Sequence, residues 1–86
     1  MIFEFSAEAY EQLEYWRRRD PGKLDRIKAI MRSIEADPRG GIGKPEPLRH
    51  QLAGWWSRRI DHEHRFVYRV DGERCIVLSC RFHYDP

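Results

Sequence analysis

The sequence predicts an α+β fold: a short N-terminal strand, an αα-hairpin, then a three-stranded antiparallel C-terminal sheet with the helices packed on one face. Apolar residues recur at helical spacing through the first half, the period changes to two from Trp55, and a breaker-rich stretch, PRGGIGKPEP at 38 to 47, separates the two regimes. With 41% hydrophobic residues in 86 positions, a chain of this size buries roughly 60–65% of its unfolded surface. That suits one domain, 1–86, with a single helical layer on a sheet. The other sheet face is expected to be open to water, a partner or a substrate.

Ile2 to Phe5 reads as an edge strand, and Ser6 stands where a helix cap belongs, with Glu8 and Glu11 near the positive helix end. Ala9, Leu13 and Trp16, with Tyr10 beside them, predict an amphipathic helix over 7–19 that closes in Arg17, Arg18 and Arg19. That basic run reads either as a favourable helix C-terminus or as an accessory RNA or partner contact. Asp20 before Pro21 signals a second start, a capping carboxylate followed by proline at the first helical position. Leu24, Ile27, Ile30, Met31 and Ile34 form its apolar stripe, and Asp37 before Pro38 ends it.

In the breaker-rich loop Gly43 and Lys44 suggest a nucleotide site, but Pro45 follows the lysine and a helix precedes the loop, so the phosphate-loop pattern fails. Prolines on both sides of Glu46 stiffen it and suggest a carboxylate held in place. A merely solvated loop acid explains the same residues. Leu48 and Leu52 predict a helical turn closed by Gly54. Residues 55–60, 64–70 and 74–82 then read as three strands, the last two joined through Asp71 and Gly72.

No charged leader precedes an apolar run, and no apolar stretch approaches the ~20 residues that cross a bilayer. A cytoplasmic protein without membrane contact is expected. Cys75 and Cys80, five apart in one strand, are expected on opposite faces as two buried thiols that do not bridge. Formal charge is only +2, yet thirteen of the sixteen basic residues are arginine, whose guanidinium matches two phosphate oxygens at once.

Strand parity gathers these charges. Ile76, Leu78, Cys80 and Phe82 are expected inward, which turns Cys75, Val77, Ser79, Arg81 and His83 outward. Trp56 and Ile60 look inward, Ser57 and Arg59 outward, and Arg65, Val67 and Arg69 share the outer side. The open face then carries Arg59, Arg65, Arg81 and His83, with Arg69 towards one end. Like charges on one face repel unless an anion joins them, so the face suits a phosphate or an acidic partner. Of His50, His62 and His64, the pair His62 and His64 can point the same way, but no cysteine or third histidine stands at a spacing typical of a closed zinc site, so ordinary polar or capping roles and no metal or other cofactor are expected.

A phosphate-binding face with one acid, one histidine and no metal cluster suits cleavage of RNA through its own 2′-hydroxyl. The reaction needs a base at that hydroxyl, positive charge on the phosphorane and an acid at the leaving 5′-oxygen. Glu46 is the candidate base, Arg59 and Arg65 the clamp, and His83 the acid, since imidazole as a residue type titrates near neutrality. Tyr84 can stack on a base or orient the phosphate.

GKPEPL at 43–48, GWWSRRI at 54–60, EHRFVY at 63–68 and CRFHY at 80–84 together resemble the YoeB (Txe) toxins of the RelE superfamily, over essentially the whole chain. The resemblance implies a RelE-like fold and a ribosome-dependent, metal-independent endoribonuclease that cuts mRNA in the A site of the 70S ribosome. It implies Glu46 as general base, Arg65 on the scissile phosphate, His83 as general acid, Arg59 in support and Tyr84 placing the RNA. Apart from the resemblance, Lys44 of the loop and Arg81 of the basic face are expected to add charge for RNA or phosphate binding. It also implies a YefM-like antitoxin, a homodimer, and contact with operator DNA only through the antitoxin complex. Asp85 and Pro86 extend past the family's usual ending. The alternative from another class is a noncatalytic module whose arginine face holds an acidic segment or RNA.

Overall fold

The computed structural model describes residues 1–83; Tyr84, Asp85 and Pro86 lie outside the described residues. The chain runs β1 (Ile2–Phe5), α1 (Ala7–Arg19), α2 (Pro21–Ala36), β2 (Glu46–Pro47), a single 3₁₀ turn (His50–Leu52), β3 (Trp56–Arg59), β4 (Arg65–Asp71) and β5 (Arg74–Ser79). Both helices match the ranges that periodicity assigns. The three C-terminal strands form the antiparallel centre of a five-stranded sheet in the order β1-β5-β4-β3-β2. β1 extends it by pairing in parallel with β5, and β2 closes the other edge antiparallel to β3.

Local chemistry explains the helix ends. Ser6 Oγ accepts the Ala9 N–H at 3.0 Å and donates to the Leu78 carbonyl at 2.8 Å, so one hydroxyl caps α1 and ties it to β5. Asp20 makes no side-chain cap to α2; instead its own N–H closes α1 on the Trp16 carbonyl, and Pro21 alone supplies the start. Tyr10 is exposed, and Gln12 takes the buried place on α1.

Cross-strand partners share a face, which fixes both sides of the sheet. Trp56, Tyr68 and Val77 line up across three strands, Arg58 opposes Phe66, and Val70 opposes Cys75, with Phe3 and Phe5 of β1 beside Cys75 and Val77. This is the helix side. Ile27, Ile30 and Ile34 of α2 and Ala9 and Trp16 of α1 pack on it, and each fully buried isoleucine contributes about 1.5–3 kcal/mol.

The expected parity of the last strand is corrected here. Cys75 and Val77 point into the core, while Ile76 and Leu78 lie on the other face, half-buried. A register shift between Val67 and Tyr68 leaves Leu78 as an extra residue, a bulge that resets the alternation. Ser79 therefore opposes Val67 on the outer face, and Cys80 returns to the core. The bulge is why two cysteines five apart are both buried in one core cluster rather than on opposite faces. The strand also ends at Ser79 instead of continuing to residue 82, and Phe82 is 53% exposed.

The loop between α2 and β2 is held from inside. Arg58, wholly buried, donates from Nε to Tyr68 Oη at 3.0 Å, from Nη1 to Ser33 Oγ at 2.8 Å and Ile42 O at 3.2 Å, and from Nη2 to Asp37 O at 2.8 Å. The glycines let the loop come this close. At Gly41, φ +102°, a Cβ would collide with Ser33 Oγ, and at Gly43, φ +85°, it would meet Arg58 Cβ at 3.0 Å. The Gly43 carbonyl accepts the Arg59 N–H at 2.6 Å. The stretch is thus a close-packed brace, not a phosphate cradle.

Burial pushes the Cys80 thiol up to about 12, and burial pushes Cys75 to the same value against the opposing pull of Arg58. At pH 8 thiolate is then on the order of 1 in 10⁴ molecules. Both cysteines should resist alkylation in the native protein and react at once in 6 M guanidinium, followed by mass spectrometry. Replacing Arg58 by Ala should cost about 3–5 kcal/mol in urea unfolding, because it leaves a cavity and strands the Asp37 and Ile42 carbonyls.

Candidate active site

The outer sheet face is built by register. Glu46 opposes Ser57, Ser57 opposes Val67 and Val67 opposes Ser79, one row across four strands. Two residues along β3, Arg59 opposes Arg65 of β4 on the same face. Glu46 is thus a diagonal neighbour of Arg59, with Cα atoms about 7–8 Å apart for such a pair. It stands in a short edge strand, not in a free loop as the sequence alone suggests. Beneath the arginines, Ser57 and Val67 are almost wholly buried, and Glu46 and Arg59 are exposed above them.

The turn carrying the two arginines is rigid. Asp61 Oδ1 accepts the Glu63 N–H at 2.8 Å and the His64 N–H at 2.6 Å, and Lys23 Nζ of α2 lies 3.0 Å from Oδ2. The Ile60 N–H meets the His64 carbonyl at 2.9 Å, and the Arg65 guanidinium returns to the Asp61 carbonyl at 3.3 Å. Burial opposes ionisation of Asp61, but the two backbone N–H groups and Lys23 outweigh it and hold the carboxyl at about 2.

After Cys80 the chain turns back along the start of β4. Phe82 takes a left-handed backbone, φ +70°, its N–H donates to His64 Nδ1 at 2.8 Å, and its carbonyl accepts the Arg65 N–H at 3.0 Å. His83 follows at once, exposed, and lines a depression of about 440 Å³ with His62 and Glu63. A second depression of about 360 Å³, lined in part by Arg26, Lys44, Arg59 and His62, adjoins it through His62. Lys44 therefore flanks Arg59, and the two depressions run from the loop to His83, with the carboxylates Asp61 and Glu63 in their lining.

Arg81 does not join this face. Its guanidinium lies 3.6 Å above the Tyr15 ring of α1 and 4.5 Å from the Phe82 ring, because the strand has ended and the segment crosses α1. Arg69 sits over Trp55 at 5.1 Å, towards the far end of the sheet. Tyr84 falls outside the described residues. The basic run of α1 serves the helix: Arg17 pairs with Glu14 at 2.7 Å and Arg19 covers Tyr15. Sequence reasoning missed Arg26, whose Nη2 reaches the Arg59 carbonyl at 3.3 Å from a polar helix face with no motif. It also set His62 aside as a mere polar residue, and no local signal marks its place between the two depressions.

Solved structures share this architecture closely. A YoeB/ParE toxin from Agrobacterium tumefaciens superposes with a TM-score of 0.94 at 44% identity, covering 98% of this chain and all of that one. Staphylococcus aureus YoeB is 40% identical and superposes at 0.93 as a dimer and at 0.92 in a heterotetrameric complex with YefM, with 98% of both chains covered. "Toxin YoeB" of Mycobacterium bovis is 45% identical over 80 residues, 93% of this chain and 94% of its own. These are toxins of the RelE/ParE superfamily. Residues 5–84 match the family model described as YoeB-like toxin of bacterial type II toxin-antitoxin system, and the chain belongs to that family.

The low Asp61 value has a consequence for acid stability. An unfolded aspartate titrates near ~3.9, so the folded group, depressed to about 2, contributes stability above pH 4 that is lost as pH falls towards 2. Allowing for partial solvent screening, that contribution is about 1–2 kcal/mol. Asp61→Asn should be less stable than the parent by this amount at pH 7 in urea unfolding, with the gap closing by pH 2.

Proposed function

We propose that this protein is a ribosome-dependent endoribonuclease that cleaves mRNA in the ribosomal A site and so inhibits translation. Membership of the YoeB-like toxin family and one observation support the reading: the register that sets Glu46, Arg59 and Arg65 on one open face, with His83 entering beside Arg65. In this reading Glu46 takes the proton of the 2′-hydroxyl, whose oxygen attacks the adjacent phosphorus. Arg65 and Arg59 carry the charge that builds on the phosphorane oxygens. His83 donates a proton to the departing 5′-oxygen, leaving a 2′,3′-cyclic phosphate and a free 5′-hydroxyl. The substrate's own hydroxyl is the nucleophile, so base, clamp and acid suffice. Lys44 and Arg26 add phosphate contacts upstream or downstream of the cut, and Tyr84 places the base.

By the same reasoning a YefM-like antitoxin neutralises the chain, since the related Staphylococcus aureus YoeB is solved in complex with YefM. An acidic segment lying on Arg59 and Arg65 would occupy the phosphate site.

Primer extension on a translated mRNA tests the function. New 5′ ends at codon-registered positions should require ribosomes, and Glu46→Ala, Arg65→Ala and His83→Ala should each lower cleavage about 10²-fold or more with unchanged circular dichroism and melting. Full activity in all three variants, equal cutting of naked RNA, or RNA binding without new ends would overturn it.

A further inference from the structure

We propose that His64 is a positioning residue for His83, acting as a neutral imidazole whose Nδ1 accepts the backbone N–H of Phe82. This inference rests on the function proposed for His83.

The hydrogen bond fixes the tautomer. A backbone N–H can only donate, so His64 Nδ1, at 2.8 Å from the Phe82 nitrogen, must present its lone pair. Nε2 then carries the proton and points at Glu63 Oε1, 3.3 Å away. The ring is held on its other sides as well. Its side chain is 13% exposed, the Trp16 ring meets it edge-on at 4.9 Å, and its backbone N–H is fixed by Asp61.

The segment that His64 holds is strained. A bulky residue such as Phe82 with φ +70° costs on the order of 1–2 kcal/mol over an extended backbone. Such a conformation persists only where its surroundings over-determine it. Here both polar groups of the Phe82 backbone are used, one by His64 Nδ1 and one by the Arg65 N–H, while the residue is 53% exposed and its ring lies 4.5 Å from the Arg81 guanidinium. Two residues earlier, Cys80 is tied to α1 through Gln12 Oε1 at 2.7 Å and Trp16 Nε1 at 2.8 Å. The left-handed turn at Phe82 lies between that anchor and His83 and sets the direction in which residue 83 leaves. Without an acceptor at Nδ1, the turn loses one of the two backbone hydrogen bonds that oppose its strain, and the direction in which the chain enters His83 is less tightly set. A misplacement of about 1 Å can cost on the order of 10²-fold in rate.

Two variants and a tautomer measurement test this. Asparagine places its Oδ1 where Nδ1 stood and keeps an acceptor; leucine fills similar space without one. His64→Leu should lower the maximal cleavage rate on ribosomes about tenfold or more, with half-saturation unchanged, while His64→Asn stays within about threefold of the parent. Added to His83→Ala, His64→Leu should cause little further loss, because it acts through the same group. In ¹⁵N-histidine spectra of the parent at the assay pH, His64 should show an unprotonated Nδ1 and a protonated Nε2.

If His83→Ala cleaves like the parent, the proposed function falls and this inference with it. If His83→Ala is inactive but folded His64→Leu is fully active, or the two losses multiply, this inference alone falls. Should His64→Leu fail to fold, the spectra decide: a protonated Nδ1 overturns the inference and an unprotonated one upholds it.

Discussion

A buried guanidinium that pairs with no carboxylate among the described residues underlies the placement of the whole site. Arg58 has no exposed surface, and burying a charge is tolerable only when its donors are satisfied. Four oxygens do this, from Ser33 and Asp37 at the end of α2, Ile42 of the loop and Tyr68 of β4. The C-terminal end of α2 also offers the negative pole of its dipole. Because the charge cannot leave water unless all four are near, the helix end, the glycine loop and the sheet are locked together. The loop then delivers Gly43 against Arg59 and Glu46 against Ser57. The exposed carboxylate owes its position to a cation on the opposite face of the same sheet.

A second brace serves the other end of the face. α1 contributes no residue to the row of Glu46, Arg59 and Arg65, yet Gln12 and Trp16 grip Cys80, and Tyr15 holds Arg81. The Asp61 turn fixes His64 and Arg65 from below, and those two residues take both backbone groups of Phe82. An exposed histidine, His83, four residues beyond the strand end at Ser79, is thereby given a defined origin. Two clamps, one on each side of the arginines, let an open surface present fixed groups.

Much of the fold was legible from the sequence because its signals are local. Helical spacing marks 7–19 and 21–36, prolines and glycines mark the loop, and Asp71–Gly72 marks the hairpin. The outward placement of Arg59 and Arg65 was legible too, since alternation holds where the strand is regular. It failed in β5, where every residue from Cys75 to Leu78 is apolar or nearly so and hydrophobicity cannot choose a face. There the choice belongs to the pairing with β1 and β4, and the bulge at Leu78 inverts it. The same alternation points Arg58 inward, a placement that charge alone argues against until its oxygen partners are seen.

By itself the sequence determined the two helices, the existence of the three central strands, the outward placement of Arg59 and Arg65 and, through four separated blocks, the family. Those depend on short-range periodicity and on residue identity, which survive in one dimension. Only the tertiary structure decided that Glu46 sits on a paired edge, that Arg81 turns away onto Tyr15, and that His64 and Arg58 hold the pieces in place. These contacts join residues 10 to 66 positions apart. Their partners are mostly backbone oxygens and N–H groups, which every residue carries and no sequence pattern marks.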